Sequence, residues 1–300
     1  MKFKKLNSVN FDIYGSDMVS VKEMGNTIEV QYLTSKTEAA PIKKISSEEY
    51  INMRTGEVCI FEKKEKENNS RLDSEKSLRK SLKTIRELVA TNVTDAKKVR
   101  WVTLTYRENM TDTRKLYEDF RKFNQRFKYY CATYEMDYYE YICVAEPQRR
   151  GAWHLHVFYI WDRDAPFIHN RTLARIWSHG FVKIKALYNI ENIAGYFQAY
   201  LTNIEIPEEN TAFYDMNELK EIKIDGVKKN VVKGGRLKLY PSGFNIVRCS
   251  RNIKRPVKKQ MTYDDAMKLV QNKKLCYETV FKLEDEKTGY HTIVYKQEFR

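Results

Sequence analysis

Tyr138–Glu146, then Pro147-Gln148-Arg149-Arg150-Gly151, then Ala152-Trp153-His154-Leu155-His156-Val157 running on to Trp161, is the stretch that decides the fold. Its flanks are rich in β-branched and aromatic residues and its middle in proline, polar residues and glycine, which predicts two strands joined by a turn. Successive side chains on a strand point to opposite faces. His154 and His156 therefore share one face, while Trp153, Leu155 and Val157 share the other. With Pro147–Gly151 as a five-residue turn, Glu146 pairs with Ala152, and because paired residues share a face it lies diagonally beside His154. Two imidazoles and a carboxylate, with the space left by small Ala152, form a donor set suited to Mg²⁺ or Mn²⁺, or to another first-row divalent ion. The register carries this expectation, since a slip of one residue turns Glu146 to the opposite face.

Working outward, Val99–Tyr106 is a third β-branched, aromatic strand. A helix starts near Thr111 with Leu116, Phe120, Phe123 and Phe127 on one stripe. Asn170–Ser178 reads as a short helix ended by Gly180, Phe181–Lys185 as a strand, and Asn189 as the cap of a helix reaching about Asn203. Hairpin-linked strands interleaved with helices in this order imply an α+β fold with a central, mainly antiparallel sheet. On the last helix Ile190, Ile193, Ala194, Phe197 and Leu201 form the apolar stripe. Tyr200 sits at its edge, where amphipathic packing explains it as well as chemistry does. Tyr196 lies off the stripe, flanked on the polar face by Asn192 and Asn203.

The 300 residues divide into three parts. Residues 1–69 form a β-rich N-terminal extension, with a hairpin around Gly25-Asn26 and a charged linker over Glu62–Ser70. Residues 70–256 hold the main domain, led by an amphipathic helix with Leu72, Leu78, Leu82, Ile85 and Leu88 in phase. Residues 257–300 add a helix (Tyr263 to Gln271) and a hairpin around Lys287-Thr288-Gly289. The basic start Met1–Leu6 runs into Asn, Ser and Asp rather than an apolar segment, so no signal peptide is expected. Five widely spaced cysteines make neither a disulfide framework nor a zinc pattern, which suits a reducing cytoplasm, and no membrane partner is expected.

The net charge of +14 points to a polyanionic partner. Eleven Lys or Arg and no Asp or Glu lie between Lys228 and Gln260, just after an acidic run from Glu205 to Asp225. The apolar residues Leu237, Leu239, Phe244, Ile246 and Val247 suggest strands within this basic stretch. Arg236, Lys238, Arg248, Arg251, Lys254 and Arg255 are its candidate phosphate contacts, and Tyr240 and Phe244 its candidate stacking rings.

Four motifs in succession, Trp101-Val-Thr-Leu-Thr-Tyr106, Glu146 with Gly151-Ala-Trp-His154-Leu-His156, Trp177-Ser-His-Gly180-Phe-Val182 and Gly195-Tyr196-Phe-Gln-Ala-Tyr200, resemble those of the HUH endonucleases. The closest likeness is to rolling-circle replication initiators of plasmids and bacteriophages, of the filamentous-phage gene II type. Gly234-Gly-Arg236 and Ser250-Arg-Asn-Ile-Lys-Arg-Pro256 resemble the way that domain closes, so the resemblance spans about Val99 to Pro256. It implies an RRM-like sheet with the histidines on a middle strand, His154, His156 and Glu146 as metal ligands, and Tyr196 and Tyr200 as the nucleophile positions. It implies nicking and rejoining of single-stranded or origin-hairpin DNA through a 5′-phosphotyrosine, with host helicase and polymerase as further partners. Relatives often carry a lysine between or just after the tyrosines, where Ala199 and Asn203 stand here, and Lys183 and Lys185 on the preceding strand are the candidate substitutes. The rival readings are a transposase or relaxase with the same chemistry, and a non-catalytic nucleic-acid-binding protein on an RRM-like sheet.

Overall fold

The computed structural model describes residues 3–7, 11–34, 42–46, 48–53, 55–61, 71–187, 192–206, 219–224, 227–285 and 290–300. The linker Glu62–Ser70, residues 207–218 and 225 of the acidic run, Asn189 and Ile190, and the turn Lys287–Gly289 lie outside these residues. Along the chain come β1 (Phe3–Asn7), β2 (Met18–Met24), β3 (Thr27–Leu33), β4 (Ile42–Lys44), β5 (Glu49–Asn52), β6 (Val58–Ile60) and α1 (Arg71–Asn92). Then follow β7 (Val99–Thr105), α2 (Thr113–Thr133), β8 (Tyr139–Pro147), β9 (Trp153–Trp161), α3 (Asn170–Trp177), β10 (Val182–Lys185) and α4 (Ile193–Thr202). The chain ends with β11 (Ile204–Ile206), β12 (Leu219–Ile224), β13 (Val227–Val232), β14 (Val247–Cys249), β15 (Val257–Thr262), α5 (Tyr263–Val270), β16 (Leu275–Asp285) and β17 (Tyr290–Phe299). The fold is α+β with mainly antiparallel sheets, and no helix among the described residues is long and apolar enough to cross a membrane.

Residues 1–23, 27–70 and 257–300 make one compact unit, so the two terminal segments are one body in space. Its main sheet has the order β1-β16-β17-β3-β2-β15. Val19, Val21, Ile28 and Val30 alternate onto one face and pack against Ala266 and Val270 of α5 and against Phe299. Glu29 is a buried charge of this sheet. Its carboxylate is almost fully buried and is held by Lys22 at 3.1 Å and Lys296 at 2.6 Å. Burial alone would raise its pKa, but the two ammonium groups outweigh it and lower it from 4.5 to about 2. The stabilisation is thus present above pH 4.5 and is lost as the pH falls towards 2. Glu29→Gln should cost about 2 kcal/mol at neutral pH, because it leaves two cations short of a counter-charge. In urea titrations the gap to wild type should narrow progressively below pH 4.5.

Residues 24–26 and 71–256 form the second unit. Its five-stranded sheet runs β10-β7-β9-β8-β14, which puts β9 at the centre. One face carries Val102, Leu104, Cys143, Ala145, Leu155, Val157 and Tyr159 beneath α2 and α3. Leu116, Phe120, Phe123 and Phe127 of α2 are all buried there. At about 1.5–3 kcal/mol per buried side chain, these four residues outweigh the tenths of a kcal/mol set by helix propensity, so packing holds α2 in place. Asp112 caps the helix by accepting from the Arg114 and Lys115 amides. The other face carries Val99, Trp101, Ile142, Val144 and Phe158 beneath α1 and α4.

The β8–β9 hairpin is tighter than a five-residue turn. The Gln148 amide donates to the Ala152 carbonyl at 2.7 Å, and Gly151 takes the left-handed conformation at φ +84. Glu146 consequently pairs with His154, not Ala152, and Val144 with His156. The shift is two residues, an even number, so Glu146 keeps the histidine face and comes closer to it. Two other expectations are corrected. Asn192, not Asn189, caps α4 by accepting from the Gly195 amide at 2.9 Å. Leu237 and Leu239 lie in a 3-10 turn (Gly235–Leu239) rather than a strand. At the sheet edge a Cβ on Gly180 would stand 2.4 Å from the Thr105 carbonyl oxygen, so only glycine lets β10 dock here.

Candidate active site

Glu146, His154 and His156 converge on the α1/α4 face of the central sheet. Glu146 lies at the end of β8, whose interior residues are apolar, and is 1 % exposed. Its Oε2 lies 2.7 Å from His156 Nε2 and 3.8 Å from His154 Nδ1. Oε2 also accepts from the Gln148 side-chain amide at 2.8 Å. The Arg236 guanidinium approaches Oε1 at 2.7 Å, off the hydrogen-bonding axis. Burial pushes the Glu146 pKa up, yet the neighbouring His156, Arg236 and His154 prevail and hold the carboxyl below its ordinary range. Burial also lowers the His154 pKa to about 4 despite Glu146, so this imidazole is neutral at physiological pH with a lone pair available. The Trp101 indole donates to His156 Nδ1 at 3.3 Å, while Nε2 lies against the carboxylate.

Neutral imidazole beside a charge-held carboxylate is donor chemistry that suits a divalent cation. Glu146 Oε1 is a buried oxygen with no hydrogen bond, which leaves acceptor capacity inside the site. As the side chains stand, no three His, Cys, Asp or Glu among the described residues are placed to hold a metal ion, and Arg236 is the counter-charge of Glu146.

The tyrosines come from α4, which covers this face through Ala194, Phe197 and Leu201. Trp101 sits under both, with its ring 5.9 Å from Tyr196 and 5.5 Å from Tyr200, edge to face in each case. Tyr200 lies nearer the histidines, its ring 5.1 Å from that of His156. Burial and the Glu146 charge push the Tyr200 hydroxyl pKa up. Tyr196 has a different neighbour. Lys185, the last residue of β10, donates its ammonium to the Tyr196 hydroxyl at 3.1 Å and also lies over the ring at 4.9 Å. A strand lysine thus stands at the tyrosine, where the helix itself offers Ala199 and Asn203. Lys183, two residues back, is exposed.

Residues 99–205 match a family of replication-associated proteins, the one described by ORF2 and the gene II protein. The match covers about a third of the chain and contains β7 to β10, α2 to α4 and all five residues Glu146, His154, His156, Tyr196 and Tyr200. No curated protein and no solved structure matches the chain.

The basic segment divides in two. Lys238, Arg248, Arg251, Lys254 and Arg255 are exposed. Arg248 lies over the Tyr117 ring at 4.4 Å, and the backbone at Lys254 is clamped to Asn92 of α1. Arg236 instead turns inward: besides meeting Glu146 it donates to the Asn203 and Pro147 carbonyls. Lys228 and Lys229 are paired with Glu221 and Glu205 across the small sheet β11-β13-β12. Tyr240 is buried, its hydroxyl donating to the Leu201 carbonyl, and Phe244 packs on Trp153 and Tyr117, so neither ring is a stacking platform. Sequence reasoning placed Trp101 in a motif but missed its contact with His156, and it missed the inward role of Arg236, because each meets its partner across a long separation in the chain. Arg236→Ala leaves a buried carboxylate short of its cation and should lower stability by about 3 kcal/mol, read as a drop in melting temperature. Arg236→Ala with Glu146→Gln should recover part of the loss.

Proposed function

We propose that this protein nicks and rejoins single-stranded DNA at the origin of a small replicon, initiating rolling-circle replication through a 5′-phosphotyrosine at Tyr196. Glu146, His154 and His156 are the residues that would hold a divalent ion, Mg²⁺ or Mn²⁺. The observation that carries the reading is the Lys185 ammonium on the Tyr196 hydroxyl, on a helix facing the strand that bears the histidines. The match to a replication-associated family over this same segment supports it.

When bound, the ion supplies positive charge against the scissile phosphate. The remaining work falls to the chain. Trp101 orients His156, and burial keeps His154 neutral. Lys185 stabilises the negative charge that builds on the Tyr196 oxygen as its proton leaves. That oxygen forms a bond to phosphorus, the bond from phosphorus to the 3′-oxygen breaks, and the phenol proton ends, through solvent, on the 3′-hydroxyl. The phosphodiester energy stays in the phosphotyrosine, so the 3′-hydroxyl can reverse the step without ATP. Tyr200, one helical turn on, is suited to a second transfer, since its raised pKa makes it the less ready first nucleophile. Exposed Lys238, Arg248, Arg251, Lys254 and Arg255 would bear on the DNA backbone. Host helicase and polymerase would unwind and copy, in the cytoplasm of a bacterial host.

Labelled single strands from the DNA around the gene, incubated with the protein and Mn²⁺, should give an SDS-resistant adduct that EDTA prevents. Tyr196→Phe should abolish it and Tyr200→Phe should leave the first adduct intact; the reverse result makes Tyr200 the lead nucleophile. Lys185→Met should slow adduct formation by about 100-fold, the scale of one lost transition-state donor, with Lys185→Arg recovering part. Tight binding with no adduct from any strand would favour the non-catalytic binding protein.

Calorimetric titration with Mn²⁺ checks the metal directly. Binding should be lost in His154→Asn and Glu146→Gln while affinity for single-stranded DNA in EDTA is kept. Equal loss of DNA affinity would remove the metal role.

A further inference from the structure

On the sheet face opposite Glu146 and the histidines, a cavity of about 590 Å³ opens between the start of α3 and the edge strand β10. This volume is within the roughly 300–1,000 Å³ of small-molecule sites. Its floor is apolar and aromatic, made by Val102, Phe127, Tyr159, Trp161 and Leu173, all nearly or fully buried. Among these floor residues Trp161 carries an anomalous atom. The Trp161 indole nitrogen is buried, its residue only 2 % exposed, and it has no hydrogen-bond partner. A buried indole N–H almost always finds an acceptor, and leaving one unmet costs on the order of 1–3 kcal/mol.

The rim supplies two further features. Phe167 is 77 % exposed, its ring standing against His169 at 4.8 Å. An aromatic ring left in water at the mouth of an apolar cavity is a stacking surface. Arg171 lies in the first turn of α3, whose N-cap His169 makes no side-chain cap bond, so first-turn amides and a guanidinium share that side of the mouth. Ring stacking, one buried donor without an acceptor, and cationic groups at the rim together fit a nucleotide: base inside, phosphate outside.

We infer that this cavity takes one unpaired nucleobase of the bound DNA strand, stacked on Phe167 and read by the Trp161 indole N–H through a ring nitrogen or carbonyl oxygen of the base. The inference rests on the reading of the protein as a single-strand DNA enzyme, and it adds a base-selective subsite apart from the reacting phosphate. The topology connects the two. Among the described residues β10 pairs with β7 alone and stands at the edge of the sheet, and its alternate residues serve opposite faces. Lys185 meets Tyr196 on one side, while Ile184 and Ala186 line the cavity on the other. A DNA strand held at Tyr196 crosses this single edge, past exposed Lys183, to deliver a base to the cavity.

The test measures affinity of the full-length protein in EDTA for fluorescent oligo(dA), oligo(dC), oligo(dT) and a dG-dT repeat of about twenty nucleotides. Wild type should prefer one base composition by about tenfold, the scale of one stacked base. Phe167→Ala, a surface change, and Trp161→Phe, which keeps a ring and removes the N–H, should each abolish that preference while changing affinity for the other probes by less than about twofold. Tyr196→Phe should retain it. No preference in wild type, or a preference that survives both variants, overturns the inference. A preference lost in the two variants of a protein that never forms an adduct would leave the subsite standing and remove the endonuclease reading; an adduct without any base preference would do the opposite.

Discussion

The Glu146 carboxylate, 1 % exposed at the end of β8, sets the terms for everything around it. A buried charge left uncompensated costs several kcal/mol, so each neighbour is recruited to satisfy it. His156 comes from the central strand, Gln148 from the hairpin turn and Arg236 from the 3-10 turn some ninety residues later. Through its bonds to the Asn203 and Pro147 carbonyls, Arg236 ties the end of α4 to the end of β8. One carboxylate thereby fixes the hairpin, the closing segment and the helix bearing the tyrosines.

Trp101 is the second organising element, and it works by shape as well as hydrogen bonding. Its ring lies edge to face with Tyr196, Phe197 and Tyr200 and beside Phe158, and its N–H fixes His156. A single large side chain on β7 therefore spaces the tyrosine helix from the histidine strand. Lys185, which pairs in register with Trp101 across β10 and β7, reaches Tyr196 because of that placement. The lysine arrives from a strand rather than the helix, which leaves α4 free to be apolar beneath and aromatic along its edge.

Charge is handled by opposite means in the two units. Glu29, with ammonium groups on both oxygens, is a closed ion cluster inside a sheet, and its consequence is stability. Glu146 keeps one oxygen without a hydrogen bond and faces a neutral imidazole, so its environment retains capacity for chemistry. The exposed basic residues from Lys238 to Arg255 carry the charge excess outward, because Lys228 and Lys229 are already spent on Glu221 and Glu205.

Local pattern was enough for much of this. The alternation in Ala152–Trp161 and the stripe Leu116–Phe127 are short-range signals, and they determined these strands, this helix and the antiparallel α+β class because each is decided within a few residues. The shared face of His154 and His156 is of the same kind, fixed by strand periodicity alone. Only the tertiary structure decided the register that sets Glu146 against His154, since that depended on how tightly Gln148–Ala152 could turn. It alone showed Arg236 turned inward, Tyr240 and Phe244 spent on the core, and the terminal segments joined in one unit. Apart from that local turn, each of these is settled by a partner tens of residues or more away, and composition and periodicity carry no record of which distant group will be the partner.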